Sequence, residues 1–504
     1  MTRTAKLHAA RHSTLLRTAA MAVAALFAAS AAVGCGSSSP SASGNTATAP
    51  GPTATPTPVP TPPPTLGTAL SPVSPGGWPI AIQSDVLGEL QVGPDGTLYV
   101  AGLMPVDATG HGRVGWLALP DGSYVTPAAF GPDGSAFGEL DGQVWAFDPD
   151  GKARTGWPLD VAASGWAISP GGKLYLMQWP TEGRTDVTIM DDHAAPVSSW
   201  SVPKVLDYSC DYLIQPDGTF WLTYPVADPS WWGACEIHAF DTNGKELSTG
   251  VIEDRWSGMS TGANGVVVAW YYDFAEDSQE RPARTRVAIL ARDGRPLAGW
   301  PVTLEGAASP PAYGSDGSIY FTLLNSPANQ VVALDGAGKA KPGWPVALAG
   351  DPLTVAAVGT EPLIPQSPIV GGSAVYVATQ TEVDAFDGAG KMLDGWPYTL
   401  PEAWDDSRCA ANAGKPVWNT GPVFGADGSG SGRLYLGLDD RIVALTPGGA
   451  EATGWPYSPG SGFVCWRQLE PAPDGGLVAV GYYRIEGTPE HLIVRLTPEG
   501  AYSE

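Results

Sequence analysis

Past residue 76 the chain alternates short apolar runs with small polar turns, and the same order returns along its whole length. Runs such as Thr97-Leu-Tyr-Val100, Lys173-Leu-Tyr-Leu176, Ser318-Ile-Tyr-Phe321 and Arg433-Leu-Tyr-Leu436 each follow at once on a turn. These first turns read Gly93-Pro-Asp-Gly96, Gly131-Pro-Asp-Gly134, Ser169-Pro-Gly-Gly172, Gln215-Pro-Asp-Gly218, Gly262-Ala-Asn-Gly265, Gly314-Ser-Asp-Gly317, Gly425-Ala-Asp-Gly428 and Ala472-Pro-Asp-Gly475, with a worn copy at Gly371-Gly372. Pro presets the first turn angle and Gly supplies the positive φ, so strand hairpins are predicted.

A second turn follows each pair of strands, as in Phe147-Asp-Pro-Asp-Gly-Lys152, Phe240-Asp-Thr-Asn-Gly-Lys245, Leu334-Asp-Gly-Ala-Gly-Lys339 and Phe386-Asp-Gly-Ala-Gly-Lys391. Gly-Trp-Pro then recurs, with Trp at 157, 300, 344, 396 and 455. Turn, strand, turn, strand and Gly-Trp-Pro make a four-stranded antiparallel blade, the unit of a β-propeller. Trp supplies apolar surface to bury between blades, and Pro on an outer strand blocks pairing with another chain.

A sixth Gly-Trp-Pro stands alone at Gly77-Trp78-Pro79, and the last repeat ends at Leu496-Thr-Pro-Glu-Gly500 without one. The N-terminal segment therefore reads as the outer strand missing from the final blade, which would close the ring. Gly122 and Gly131 are nine residues apart where Gly151 and Gly171 are twenty. On that spacing the first two hairpins do not both own full blades, so eight blades are expected, with nine as the alternative.

Composition agrees with an all-β chain of short strands and tight turns: 64 Gly, 49 Pro and 19 Trp, with 15% charged residues. At the N-terminus, Arg3, Lys6, Arg11 and Arg17 precede an Ala-rich apolar run from Ala19 to Val33, then Gly34 and Cys35. That order is a signal peptide, and the run falls short of a comfortable membrane span. Small residues before Cys35 resemble the lipobox of bacterial lipoproteins, although Ala32 stands where Leu is usual. The resemblance implies cleavage before Cys35 and a lipid on its sulfur. The expected organisation is signal peptide at 1–34, lipidated Cys and Ser/Thr/Pro-rich tether at 35–75, and one propeller at 76–504. The address is the bacterial cell envelope, outside the cytoplasm, with membrane contact through the lipid alone.

Removing the leader deletes four cations and no acid, taking the formal net charge from −24 to −24 − 4 = −28. Such a chain repels nucleic acid, which is excluded as a partner. Cys35 is the odd one of five cysteines, and the other four allow three pairings. The expected one is local: Cys210 with Cys235, and Cys409 with Cys465.

The repeats resemble those of the pyrroloquinoline-quinone-like (quinoprotein) propeller superfamily, across residues 76 to 504. The resemblance implies the fold; many members bind no quinone, and one is the lipoprotein of outer-membrane barrel assembly. Its alcohol dehydrogenases use a disulfide between adjacent cysteines, and this chain has no Cys-Cys and no Cys-x-x-Cys-His. His111, His193, His238 and His491 are scattered without ligand spacing, and no Gly-x-Ser-x-Gly occurs. Turns such as Asp148-Pro-Asp-Gly151 and Asp427-Gly-Ser-Gly-Ser-Gly432 lack the alternating carboxylates and closing Glu of a calcium loop. No catalytic residue, metal or cofactor is therefore assigned.

In a propeller, loops joining the second and third strands and loops joining successive blades share one face. Long segments fall there at Tyr224 to Cys235, Tyr271 to Arg284, Thr399 to Lys415 and Tyr482 to Glu490. They carry Trp231-Trp232, Tyr271-Tyr272, Trp404-Asp405-Asp406 and Tyr482-Tyr483, aromatics and acids able to grip a sugar ring or a peptide. The sequence thus points to a monomeric, non-catalytic binding or scaffold propeller for an envelope protein or glycan. An extracytoplasmic enzyme, either a quinone-dependent oxidoreductase or a carbohydrate-active lyase or hydrolase, is the alternative.

Overall fold

A computed structural model describes residues 77–83, 90–100, 104–120, 122–161, 164–178, 184–202, 212–225, 235–248, 258–262, 265–274, 282–324, 328–355, 364–401, 421–426, 432–438, 440–460, 463–485 and 488–502. The leader, Cys35 and the tether lie outside them. The described residues form an all-β propeller of antiparallel sheets. In its third repeat unit, strands Ser164–Ile168, Leu174–Gln178, Thr185–Met190 and Pro196–Val202 lie side by side in chain order. Alternation along each strand sends its side chains to the two neighbouring sheets, so apolar residues on both faces are buried.

The first strand of each unit is the axial one. Axial strands meet those of neighbouring units: Pro127–Phe130 meets Ser164–Ile168, Tyr212–Ile214 meets Gly258–Thr261, and Ile369–Gly371 meets both Ala312–Tyr313 and Val423–Ala426. Phe463–Pro471 of the last unit meets Val423–Ala426 on one side and Leu90–Val92 of the first unit on the other. Ile80–Gln83 is the outer strand of that last sheet, paired Ile80↔Ile493 through Gln83↔Glu490. The position of Gly77-Trp78-Pro79 predicted this placement.

Second turns number nine among the described residues, at 107–110, 148–151, 191–194, 241–244, 291–294, 335–338, 387–390, 446–449 and 497–500. That is one more than an eight-blade reading requires. The second turn of unit 1 is Asp107-Ala-Thr-Gly110, whereas Gly122 belongs to a turn of its own, its N–H donating to Leu119 O at 2.9 Å in the link to unit 2. Gly110 precedes Gly131 by 21 residues, close to the twenty between Gly151 and Gly171, so the spacing argument against a ninth unit rested on the wrong glycine.

Gly-Trp-Pro has one structural task throughout. All six Trp–Pro bonds are cis, and each Trp is buried. Each indole Nε1–H donates to a carbonyl in the second turn of the next unit: Trp157 to Asp192 at 3.1 Å, Trp300 to Gly336 at 3.0 Å, Trp344 to Gly388 at 3.3 Å, Trp396 to Pro447 at 3.0 Å and Trp455 to Pro498 at 2.9 Å. Trp78 donates to Ala108 at 2.9 Å, carrying the same contact from the last sheet to the first unit. Where the motif is missing, other side chains take its place. Trp116 covers Gly151, Trp200 covers Gly244, and Ser248 lies against Gly294.

Candidate functional site

The two ends of the molecule differ in chemistry. At the end formed by the first and second turns, carboxylates and cations neutralise each other. Asp95 pairs with Arg113 at 2.6 Å, Asp133 with Arg154 at 2.8 Å, Asp316 with Lys341 at 2.7 Å, Asp474 with Arg495 at 2.9 Å, and Asp217 with Arg292 of the next unit at 3.2 Å. Hydrogen bonds from Ser135 and Arg154 pull the Asp133 carboxyl down to about 2, and Lys341 and Ser318 do the same at Asp316. On the second turns Asp241, Asp335 and Asp387 instead accept backbone N–H groups of their own turns.

The three ligand atoms of Asp191, Asp192 and His193 lie within 4.8 Å of one another on a second turn. Their polar atoms are already engaged. Asp191 Oδ1 accepts the N–H groups of His193 and Ala195, both at 2.9 Å, and Asp192 Oδ1 lies 2.8 Å from His193 Nδ1. His193 and Asp192 are exposed, and the arrangement is that of a turn capped by its own carboxylate.

Trp231, Trp232, Trp404, Asp405, Asp406, Cys210 and Cys409 lie outside the described residues. Cys235 opens strand Cys235–Phe240, paired with Pro225. Cys465 is buried and disulfide-bonded.

The tyrosine pairs are not in loops, as the sequence reading expected. Tyr271 and Tyr272 belong to strand Val267–Phe274, opposite Arg286 and Thr285. Tyr482 and Tyr483 belong to Leu477–Ile485, opposite His491 and Glu490. Aromatic and β-branched residues favour the pleated ladder, which continues into what read as loop. Adjacent strand residues face opposite ways, so Tyr271 and Tyr272 do not form one aromatic platform. Tyr271 packs with Trp221 and Met259 toward unit 4, and Tyr272 with Trp270 and Phe321 toward unit 6. Tyr482 is buried against His491, ring centroids 5.7 Å apart.

Two features of the end away from the turns escaped the sequence reading. The first is a hairpin inserted between units 6 and 7, Thr354–Val355 against Ile364–Pro365. Its base is fixed by Gln366 N–H to Leu353 O at 2.8 Å, Leu353 N–H to Ala378 O at 3.1 Å and Gln380 N–H to Asp351 O at 2.9 Å. Ser367 Oγ donates to Pro310 O at 2.9 Å, and the hairpin's second strand packs on the strands of unit 6. Spacing held the signal: Trp344 precedes Gly371 by 27 residues, while Trp157 precedes Gly171 by 14.

The second feature is the axial strands themselves. Those of units 1 to 8 carry no charged residue. They contribute aromatic and small polar groups instead: Trp166 Nε1 donates to Glu139 at 2.8 Å, Tyr212 OH donates to Trp166 O at 3.2 Å, and the Ser260 and Tyr313 hydroxyls are hydrogen-bonded to each other. Only the last axial strand, Phe463–Pro471, bears charge, at Arg467 and Glu470. Gln468 clamps the first unit, donating from Nε2 to Leu90 O at 2.8 Å and accepting Leu90 N–H at 3.2 Å. The same Nε2 donates to Glu470 Oε1 at 3.0 Å. Register shifts between Trp466 and Gln468, leaving Arg467 as the extra residue of a β-bulge. Burial holds its guanidinium below the usual arginine value, with Tyr482 acting weakly the other way.

No protein-family model and no curated protein matches the sequence. Solved structures that are similar include a eukaryotic initiation factor, at 14% identity and TM-score 0.48 over 77% of this chain and 92% of that one. Streptogramin B lyase is similar at 15% identity and TM-score 0.31, over 66% and 94%. Prolyl oligopeptidase B from Galerina marginata is similar at 12% identity and TM-score 0.36, over 84% and 56%. These are likenesses of shape, and none bears on the chemistry of this chain.

Proposed function

We propose that this chain is a non-catalytic binding propeller of the bacterial cell envelope, held to a membrane by a lipid on Cys35, that receives an envelope glycan or protein at the end opposite its turns. One observation carries the reading: the first-turn carboxylates Asp95, Asp133 and Asp316 are paired with cations, while the described axial strands carry aromatic and neutral polar groups and a single cation. The inserted hairpin, Thr354–Val355 against Ile364–Pro365, joins two units at the end away from the turns, where a rigid scaffold places recognition. In this reading the repeats are of the pyrroloquinoline-quinone-like kind, and Cys409 is the disulfide partner of Cys465.

Thermal unfolding of the full-length protein in detergent micelles, screened against cell-wall fragments and polysaccharides, tests the proposal. A ligand that binds the folded state alone raises the midpoint. A rise with one glycan class and no change in that glycan supports binding. Turnover of the polysaccharide, or quinone-dependent reduction of a dye, would replace it with the enzymatic alternative.

A further inference from the structure

We infer that Arg467 is the anchor of an anion site on the propeller axis, and that its ligand presents a carboxylate. The inference rests on the binding reading above and names the chemistry of its ligand.

The position is singular in three independent respects. Nine units supply axial strands, and among the described residues the only cation on any of them is Arg467. The residue sits on a bulge, the device by which a strand turns one side chain out of the ladder's alternation. It also has no ion pair or hydrogen bond among the described residues, unlike the other well-buried cations. Arg154, Lys341 and Arg495, with side chains 12%, 16% and 5% exposed, each sit within 2.9 Å of a turn aspartate.

Acids outnumber bases 51 to 27 in this chain, so an unpaired half-buried guanidinium is not for want of carboxylates. The nearest acid along the strand, Glu470, is held by Gln468. A guanidinium that solvent still reaches keeps its five donors open to a ligand, and a carboxylate satisfies it in a two-pronged geometry. The field of the whole protein selects among anions. A net charge of −24 disfavours a dianionic phosphate more than a monoanionic carboxylate, so a single cation matches a single charge. The neutral aromatic and hydroxyl groups on the other axial strands suit the uncharged remainder of such a ligand, as in a uronic-acid glycan.

The test is calorimetric titration of the full-length protein in micelles at low salt with monomeric galacturonate, its methyl ester and inorganic phosphate. We expect galacturonate to bind at least tenfold more tightly than the ester and more tightly than phosphate. Arg467→Gln should lose at least tenfold of that affinity, and Arg467→Lys should retain part of it. Equal binding of acid and ester to the wild-type protein, or equal binding of the acid to wild type and Arg467→Gln, overturns the anion site and leaves the glycan reading standing. Tighter binding of phosphate overturns the carboxylate assignment. No binding of any probe overturns this proposal, while a midpoint shift with other wall fragments would still uphold the binding function. The acid-against-ester comparison uses the unmutated chain, so a variant that fails to fold does not spoil the test.

Discussion

Arg495, on the third strand of the last unit, donates from Nη1 to the carbonyl of Gly96 in the first unit at 2.8 Å. Its Nη2 donates to Asp474 of its own unit at 2.9 Å. One buried guanidinium thus ties the end of the repeat series to its start, beside the Gln468 clamp on Leu90. Removing it leaves a buried carbonyl without a donor, which costs about 1–3 kcal/mol on top of the lost charge-assisted bond. Arg495→Met should therefore lower stability by roughly 2–4 kcal/mol. Arg113→Met, breaking a pair with a half-exposed Asp95, should cost about 1 kcal/mol or less. Denaturant titration of the two variants side by side checks the contrast, and equal losses would show that the seam is no tighter than an ordinary turn pair.

Glycines of the same backbone conformation should differ sharply in their tolerance of a methyl group. Gly343, at φ +85°, precedes Trp344, and a Cβ there would lie 1.8 Å from the Ala389 carbonyl oxygen. Gly317, at φ +80°, has nothing within 4 Å of the same added atom. Gly317→Ala then pays only the left-handed backbone penalty, about 1–2 kcal/mol. Gly343→Ala must also push unit 7 away from unit 6, and should cost at least about 2 kcal/mol more. Thermal unfolding of both variants decides it; similar losses would mean the junction gives way easily.

Much of this was legible in the sequence because turns are local. Gly, Pro and Asp act within four residues, so first and second turns declare themselves, and lone Trp78 revealed the outer strand of the last sheet. Asp107-Ala-Thr-Gly110 hid because only its ends match the other copies, and Gly122 was read in its place. Tyr271 and Tyr482 were misplaced because strand and loop differ there only by pairing with a distant partner. Arg467 could not be found at all: the bulge that sets it apart exists only in its register with Leu477–Ile485.

Attachment to the membrane is tested by one atom. If the sulfur of Cys35 carries lipid, Cys35→Ala should move the exported protein from the membrane to the soluble fraction and abolish incorporation of a labelled fatty acid. Acyl chains contribute about 0.8 kcal/mol per buried CH₂, so two chains hold firmly and none does not hold at all. A variant that stays in the membrane fraction without label would point to an uncleaved leader as the anchor.

Asp384 should make the fold less stable in mild alkali than in mild acid. The residue is 2% exposed, on the third strand of unit 7, opposite Val377 and in a sheet that packs Val375 and Phe386 against unit 6. Burial, with some repulsion from Glu382, raises its carboxyl from 3.8 to about 6. The folded chain therefore holds this proton more tightly than the unfolded chain does. Its stabilising contribution is fully present below pH 3.8 and is lost as pH rises through about 6. A shift of about 2 units corresponds to about 3 kcal/mol. Asp133 and Asp316 act in the opposite direction but at lower pH, since their carboxyls lie near 2 and their contribution is lost only as pH falls from 3.8 toward that value. Between pH 4 and 6 the Asp384 slope should stand nearly alone among the carboxylates with raised or lowered values. Asp384→Asn should remove it, leaving the variant more stable than wild type at pH 8 by up to about 3 kcal/mol and no more stable at pH 4. Denaturant midpoints of both proteins across that range measure the difference, and a gap that does not change with pH would mean Asp384 is already charged in the folded chain.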